Sequence, residues 1–227
     1  MLLAYFVAIA AVSLSTASPE HDEKCGKYGE MAPLRKRIIK LLNDHRFKLI
    51  NGEQKNGPGS DMMPRGENMR KMGWSCKLEE EAMMSLDFKC TKQSPEAPRR
   101  NTGFFDYIEK SNPRLFGIDA WLLEIEKTKM DIDPSLGTIL YKGQNQNYTN
   151  LVRYDVSRIG CAGKFCNDGQ VNFFCLTNKP PLKYNETIYN TGKGPCPTGR
   201  CLPSNELTCH NATGLCIGKK AANLTTN

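Results

Sequence analysis

Ten cysteines, at positions 25, 76, 90, 161, 166, 175, 196, 201, 209 and 216, constrain the fold more than any other feature of this chain. All ten follow an uncharged apolar stretch, "MLLAYFVAIAAVSLSTAS" (Met1 to Ser18). That stretch is too short and too weakly flanked to anchor a membrane. It reads as a secretory signal cleaved near Ala17 or Ser18, although the usual positive leading segment is missing. An even cysteine set behind a signal implies disulfides made in an oxidising compartment. Zinc is the competing use, but the closest pairs, Cys161/Cys166 and Cys196/Cys201, are each separated by four residues. That is loose for zinc, and no two-residue knuckle occurs. Five bridges allow about 945 connectivities, so spacing alone fixes none of them.

Four sequons, at Asn147, Asn185, Asn211 and Asn223, fit a secreted, extracellular glycoprotein. No later stretch approaches the ~18–20 continuous apolar residues of a membrane span. The net charge of +7 suits anionic surfaces such as cell coats. Basic residues are scattered among acidic ones with no aromatic-interleaved stripe, which argues against nucleic acid as a partner.

Past a polar lead-in (19–31), "APLRKRIIKLLNDHRFKLINGE" predicts an amphipathic helix. Leu34, Ile38, Leu41, Leu42, His45 and Leu49 fall on one face, with Lys36, Arg37, Lys40 and Asp44 mostly elsewhere. His45 reads as an interior or rim histidine rather than a ligand, since no second histidine stands a turn away. Gln54 to Arg70 reads as a loop by its Gly/Pro content. Ser75 is placed to cap a second helix over Cys76–Cys90, with Leu78, Ala82, Met83 and Leu86 inward. A third helix is predicted over Gly117–Met130, packing Ile118, Trp121, Leu122 and Ile125. From Tyr148 the texture changes to strand: "NLVRYDVSRIGCAGKFC", a turn at Asn167-Asp168-Gly169, then "QVNFFCLTN". Beyond Asn178 Pro and Gly increase, and the remaining cysteines imply a disulfide-held extension (179–220) and a flexible tail (221–227). Helices first and strands later argue an α+β domain over 32–178, with helices packed on an antiparallel sheet.

These blocks together resemble the CAP superfamily of cysteine-rich secretory, antigen 5 and pathogenesis-related 1 proteins, and most of all its nematode activation-associated secreted and venom allergen-like members. Asn43 and Arg46 match the first-helix "HNxxR", with Leu42 replacing the histidine. "NMRKMGWSCKLEEEA" (Asn68–Ala82), "AWLLEI" (Ala120–Ile125), "NYTNLVRYDVSRIGCAGKFC" and "FFCLTNKPPLKYNETIYNTGKGPC" follow in family order. The resemblance implies a three-layer α-β-α sandwich. It also implies a cleft in which two histidines and two glutamates can hold a divalent cation. Carried over position by position, Gln93 stands for the first histidine, Phe104 for the first glutamate, Glu124 for the second, and Asn147 for the second histidine. Neutral amides are poor zinc ligands and do not titrate, so the resemblance implies no metal, no cofactor and no acid/base catalysis by this set. Glu67, in "RGEN", precedes Trp74 and is not the cleft glutamate.

Replacing the cleft histidine by Asn147 also creates a sequon. A glycan there would sit across the cleft mouth, whereas an unmodified Asn147 would hydrogen-bond inside a residual polar pocket. No G-x-S-x-G elbow occurs, and only His21, His45 and His210 are present, so nothing positive points to a hydrolase. The resemblance therefore implies a secreted, non-enzymatic parasite effector that binds host cells or receptors. Integrin-dependent platelet aggregation or leukocyte adhesion is its candidate target. Arg65-Gly66-Glu67, in the predicted loop, is the local sequence nearest an integrin ligand. A sterol or fatty-acid carrier is the alternative. Ion-channel modulation would need more cysteines than the four from Cys196 to Cys216.

Overall fold

The computed structural model describes residues 25, 32–86, 90–109, 117–167 and 169–219. The signal-like stretch, the lead-in apart from Cys25, His21, Asp168, the tail and Asn223 lie outside the described residues. Helix α1 (Ala32–Asn51) buries Ile38, Leu42, His45 and Leu49 and leaves Lys36, Arg37, Lys40 and Asp44 exposed, as its periodicity requires. It stops at Gly52, whose φ of +72° suits a residue without Cβ. Gly52 N–H donates to Leu49 O at 3.1 Å and Glu53 N–H to Lys48 O at 2.8 Å, the two bonds of a Schellman ending.

Short strands β1 (Gly66–Glu67) and β2 (Gly73–Trp74) precede α2 (Cys76–Ser85), where Ser75 Oγ accepts from Leu78 N–H at 3.3 Å, the predicted cap. The helix ends at Ser85, short of the expected Cys90, and residues 87–89 lie outside the described residues. Then come β3 (Thr102–Glu109), α3 (Ile118–Leu122), α4 (Glu124–Lys127), β4 (Thr138–Leu140) and α5 (Gln146–Val152). Strands β5 (Arg158–Phe165) and β6 (Gln170–Thr177) form the expected hairpin, followed by β7 (Thr187–Thr191), β8 (Leu207–His210) and β9 (Leu215–Gly218).

The central sheet runs β2-β5-β6-β3, antiparallel except where β2 meets β5. Side chains alternate across it. Ala162, Phe174 and Leu176 face Leu78 and Ala82 of α2. Phe104, Ile159, Cys161 and Phe173 face the other way, into a core shared with Ile38, Leu42, Trp121 and Leu151. At Gly160 a Cβ would lie 2.2 Å from Glu79 N, so α2 can rest on β5 only over a glycine. Helix, sheet and helices make the three-layer α-β-α sandwich.

Five disulfides join Cys25–Cys76, Cys90–Cys166, Cys161–Cys175, Cys196–Cys209 and Cys201–Cys216. The last two brace the β8-β9 hairpin. It docks on the body by backbone bonds: Cys216 N–H to Met69 O at 2.8 Å and Lys71 N–H to Cys216 O at 2.9 Å. Residues 187–191, within the segment read as an extension, form β7 between β1 and β4 and send Ile188 and Tyr189 into the main core.

Three predicted elements are corrected. The third helix is not continuous: α3 and α4 are separated at Leu123, and the chain turns extended at Thr128. Beyond that point Asn56 grips the Met130 backbone, with Met130 N–H donating to Asn56 Oδ1 at 2.7 Å and Asn56 Nδ2 to Met130 O at 3.0 Å. The strand expected from Tyr148 begins only at Arg158. Residues 146–152 are helical because Tyr148, Leu151 and Val152, spaced i, i+3, i+4, all bury on one face. Finally, the 54–70 loop contains β1, which pairs antiparallel with β7.

Candidate functional site

The polar motif residues of the first helix, Asn43 and Arg46, turn inward as braces. Asn43 binds the Met72 backbone twice, at 2.8 and 2.9 Å. Arg46, fully buried, donates to the carbonyls of Leu151 at 2.7 Å, Val156 at 2.8 Å and Arg70. Glu79 is buried too, accepting from Arg35 Nη2 at 2.8 Å and Trp74 Nε1 at 3.0 Å. Its removal would strand a buried cation. These motif residues pin the loops that carry the cleft. None of them faces it as a reagent.

At the cleft positions the structure brings two residues together and separates the others. Glu124 opens α4, facing the first turn of α5. Its Oε2 accepts the backbone N–H of Asn147 at 2.9 Å and of Tyr148 at 3.0 Å, and its Oε1 accepts Asn147 Nδ2 at 2.6 Å. The first N–H groups of a helix have no partner within it, and a carboxylate there is favourably placed against the helix dipole. Asn145, the residue before α5, does not cap it. Its Nδ2 donates to Thr128 O at 2.7 Å, leaving the cap to Glu124. Tyr141 lies beside Glu124. Burial, and then the Glu124 charge, push its phenol above the usual range, so it stays neutral.

Phe104 is buried on β3, its ring centroid 5.5 Å from that of Trp121, which in turn lies 6.2 Å from Phe173. Where an acidic ligand would stand there is an aromatic stack. Gln93 is exposed in the loop after Cys90, and among the described residues no hydrogen bond links it to Glu124 or Asn147. A divalent cation needs several oxygen or imidazole donors converging on one point. Here one carboxylate is present, with three donors already on it, so the donor set does not fit such an ion. Cys25, Cys76 and Glu79 also converge, but the two sulfurs are bonded to each other.

The other predicted residues fall as follows. Arg65 is exposed and lies over Gly52, while Gly66 is buried against the Tyr189 ring. Glu67 is half-buried, accepting from Lys193 N–H at 3.4 Å. Gly66 and Glu67 thus belong to a paired strand, with Arg65 just before it. Asn185 and Asn211 are exposed in turns. At the Asn147 sequon, Thr149 is fully buried and its hydroxyl donates to Asn145 O at 2.9 Å. His45 is interior. Burial, then Lys48, lower its pKa below the ordinary histidine value. Among the described residues no helix is long and apolar enough to cross a membrane. Sequence reading missed Tyr141 and the role of Asn145. The amide-rich run Gln144-Asn145-Gln146-Asn147 was the available signal, since such residues gather at helix starts.

The family model for CAP, the cysteine-rich secretory protein family, matches residues 39–178. The chain belongs to the CAP family. Among its CAP relatives, Ancylostoma secreted protein from Ancylostoma caninum is 25% identical over 211 residues, which cover 87% of this chain and 47% of the relative. This chain therefore spans about half of that protein. The BmVAL-1 structure has a TM-score of 0.65 at 25% identity, covering 81% of this chain and 93% of its own. The hookworm platelet inhibitor structure has a TM-score of 0.58 at 23% identity, covering 91% and 97%. CAP relatives of this chain thus include parasite secreted and venom proteins.

Proposed function

We propose that this CAP protein is a secreted, non-enzymatic parasite effector that binds a host cell-surface receptor. Its candidate action is inhibition of integrin-dependent platelet aggregation or leukocyte adhesion. The observation that carries the reading is the use made of Glu124. The last acidic group at the cleft positions is engaged by three donors as a helix cap, and Phe104 has joined the core, so the cleft offers neither a metal centre nor an acid/base pair. What remains is a rigid, five-disulfide platform with surface loops, the arrangement on which binding residues are usually displayed. The fold shared with hookworm platelet inhibitor makes platelets a target to test. The reading does not rest on Arg65-Gly66-Glu67, whose glycine is buried.

Affinity capture of surface proteins from platelets and leukocytes, using the glycosylated protein, tests it. A saturable, enriched receptor together with reduced adhesion is the expected result. No enriched partner and no effect on adhesion would overturn it. A one-to-one sterol complex by native mass spectrometry after delipidation would favour a carrier instead.

A further inference from the structure

A cavity of about 510 Å³ opens between the 54–63 loop and residues 129–132, apart from the Glu124–Asn147 pair. That volume lies within the range of small-molecule sites, roughly 300–1,000 Å³. Its walls are fixed by bonds that do not involve a ligand. The loop closes on itself through Asn56 N–H to Asp61 O and Met63 N–H to Gln54 O, each 2.8 Å. Gly57 N–H ties it to Ile125 O at 2.8 Å, and the Asn56 side chain holds the Met130 backbone from the other side. Gln144 Oε1 accepts from Asp131 N–H at 2.8 Å. Lys129 Nζ and Asp61 Oδ2, 2.5 Å apart, form a solvent-exposed ion pair, which holds the walls only weakly.

The Asn56 amide and the Gln144 carbonyl that line the cavity are therefore committed to backbone, and Lys129 to Asp61. The charged group left over is Asp131, exposed, with no ion pair among the described residues. Two carboxylates against one lysine give the rim a charge of −1, which disfavours an anion. The apolar side chains open to it are Met62 and Ile132, since Met130 is 2% exposed and packed in the main core. Thioethers accommodate irregular shapes and make favourable contacts with aromatic rings.

We propose that this cavity binds a small arylalkylamine, with the protonated amine on Asp131 and the ring against Met62 and Ile132. The test is isothermal titration of the purified full protein at neutral pH with tryptamine, tryptophol and indole-3-acetate. These three share a ring and differ in the charge of the chain end. Tryptamine is expected to bind one-to-one, tryptophol at least tenfold more weakly, and indole-3-acetate not at all. Asp131→Asn should weaken tryptamine at least tenfold and Met62→Gln several-fold, with the unfolding midpoint unchanged in each. Lys129→Ala releases Asp61 and should strengthen binding, a gain that a misfolded variant could not give. No saturable binding up to millimolar tryptamine would overturn the proposal, as would equal binding of tryptophol, wild-type affinity in Asp131→Asn, or weaker binding in Lys129→Ala. Receptor capture is read independently and is unaffected by any of these results.

Discussion

Replacing Glu124 by alanine isolates the structural role assigned to it. The carboxylate accepts three bonds, at 2.6, 2.9 and 3.0 Å, two of them from the otherwise unpartnered N–H groups that open α5. A helix cap contributes ~1 kcal/mol, and a hydrogen bond to a charged group about 1.5–3 kcal/mol when shielded. Glu124 is half-buried, so the sum must be discounted for solvent, and a loss of about 2–3 kcal/mol is expected. At ~2–4 °C per kcal/mol for a chain of this size, the thermal midpoint should fall by about 4–12 °C. Glu124→Gln keeps one acceptor and should lose about half as much. Chemical denaturation followed by tryptophan fluorescence gives the free energies, and a cycle with Asn147→Ala should show coupling of about 0.5–3 kcal/mol. If Glu124→Ala lay within ~0.5 kcal/mol of wild type, the range of an ordinary surface substitution, the cap would not be formed in solution.

Other consequences are independent of that one. Arg46→Ala, which removes three carbonyl contacts from a fully buried guanidinium, should cost about 3–5 kcal/mol by guanidinium denaturation. Stability should also fall on acidification. Burial lowers the folded pKa of His45, and of His210, below the unfolded value of about 6.5, so the unfolded chain takes up protons first as the pH drops below that point. Urea midpoints measured from pH 7.5 to 5 should therefore decline, and less steeply in His45→Gln. Peptide mass mapping should find glycans at the exposed Asn185 and Asn211, with Asn147 unmodified and its amide held by Glu124.

Long-period features were the most legible in the sequence. The stripe of α1, the Ser75 cap and the β5-β6 hairpin each follow from local spacing that tertiary packing then reinforces. Residues 148–152 were misread because β-favouring Tyr, Thr and Val outweighed a period visible only as Tyr148, Leu151 and Val152. The cap that starts this helix comes from Glu124, twenty-three residues upstream, and no local signal reveals it. Strand β3 escaped notice because Gly103 and Asp106 interrupt its apolar pattern, although it pairs with β6 along its whole length. At the cleft, the family resemblance located four positions, and the chemistry of the residues standing there argued against a metal site. It did not reveal that Asn147 and Glu124 bind each other, since that depends on the starts of α4 and α5 meeting although β4 lies between them in the chain. Arg65-Gly66-Glu67 looked like a loop by composition. A buried Gly66 shows that glycine here provides close approach to Tyr189 rather than flexibility.

The most direct test of a cleft converted from reagent to brace is calorimetric titration of Zn²⁺ into the purified protein and into Glu124→Ala. With the carboxylate already holding three donors and an aromatic stack in place of its acidic partner, neither protein should show saturable binding at micromolar zinc. Micromolar affinity in the wild type that disappears in Glu124→Ala would contradict the account.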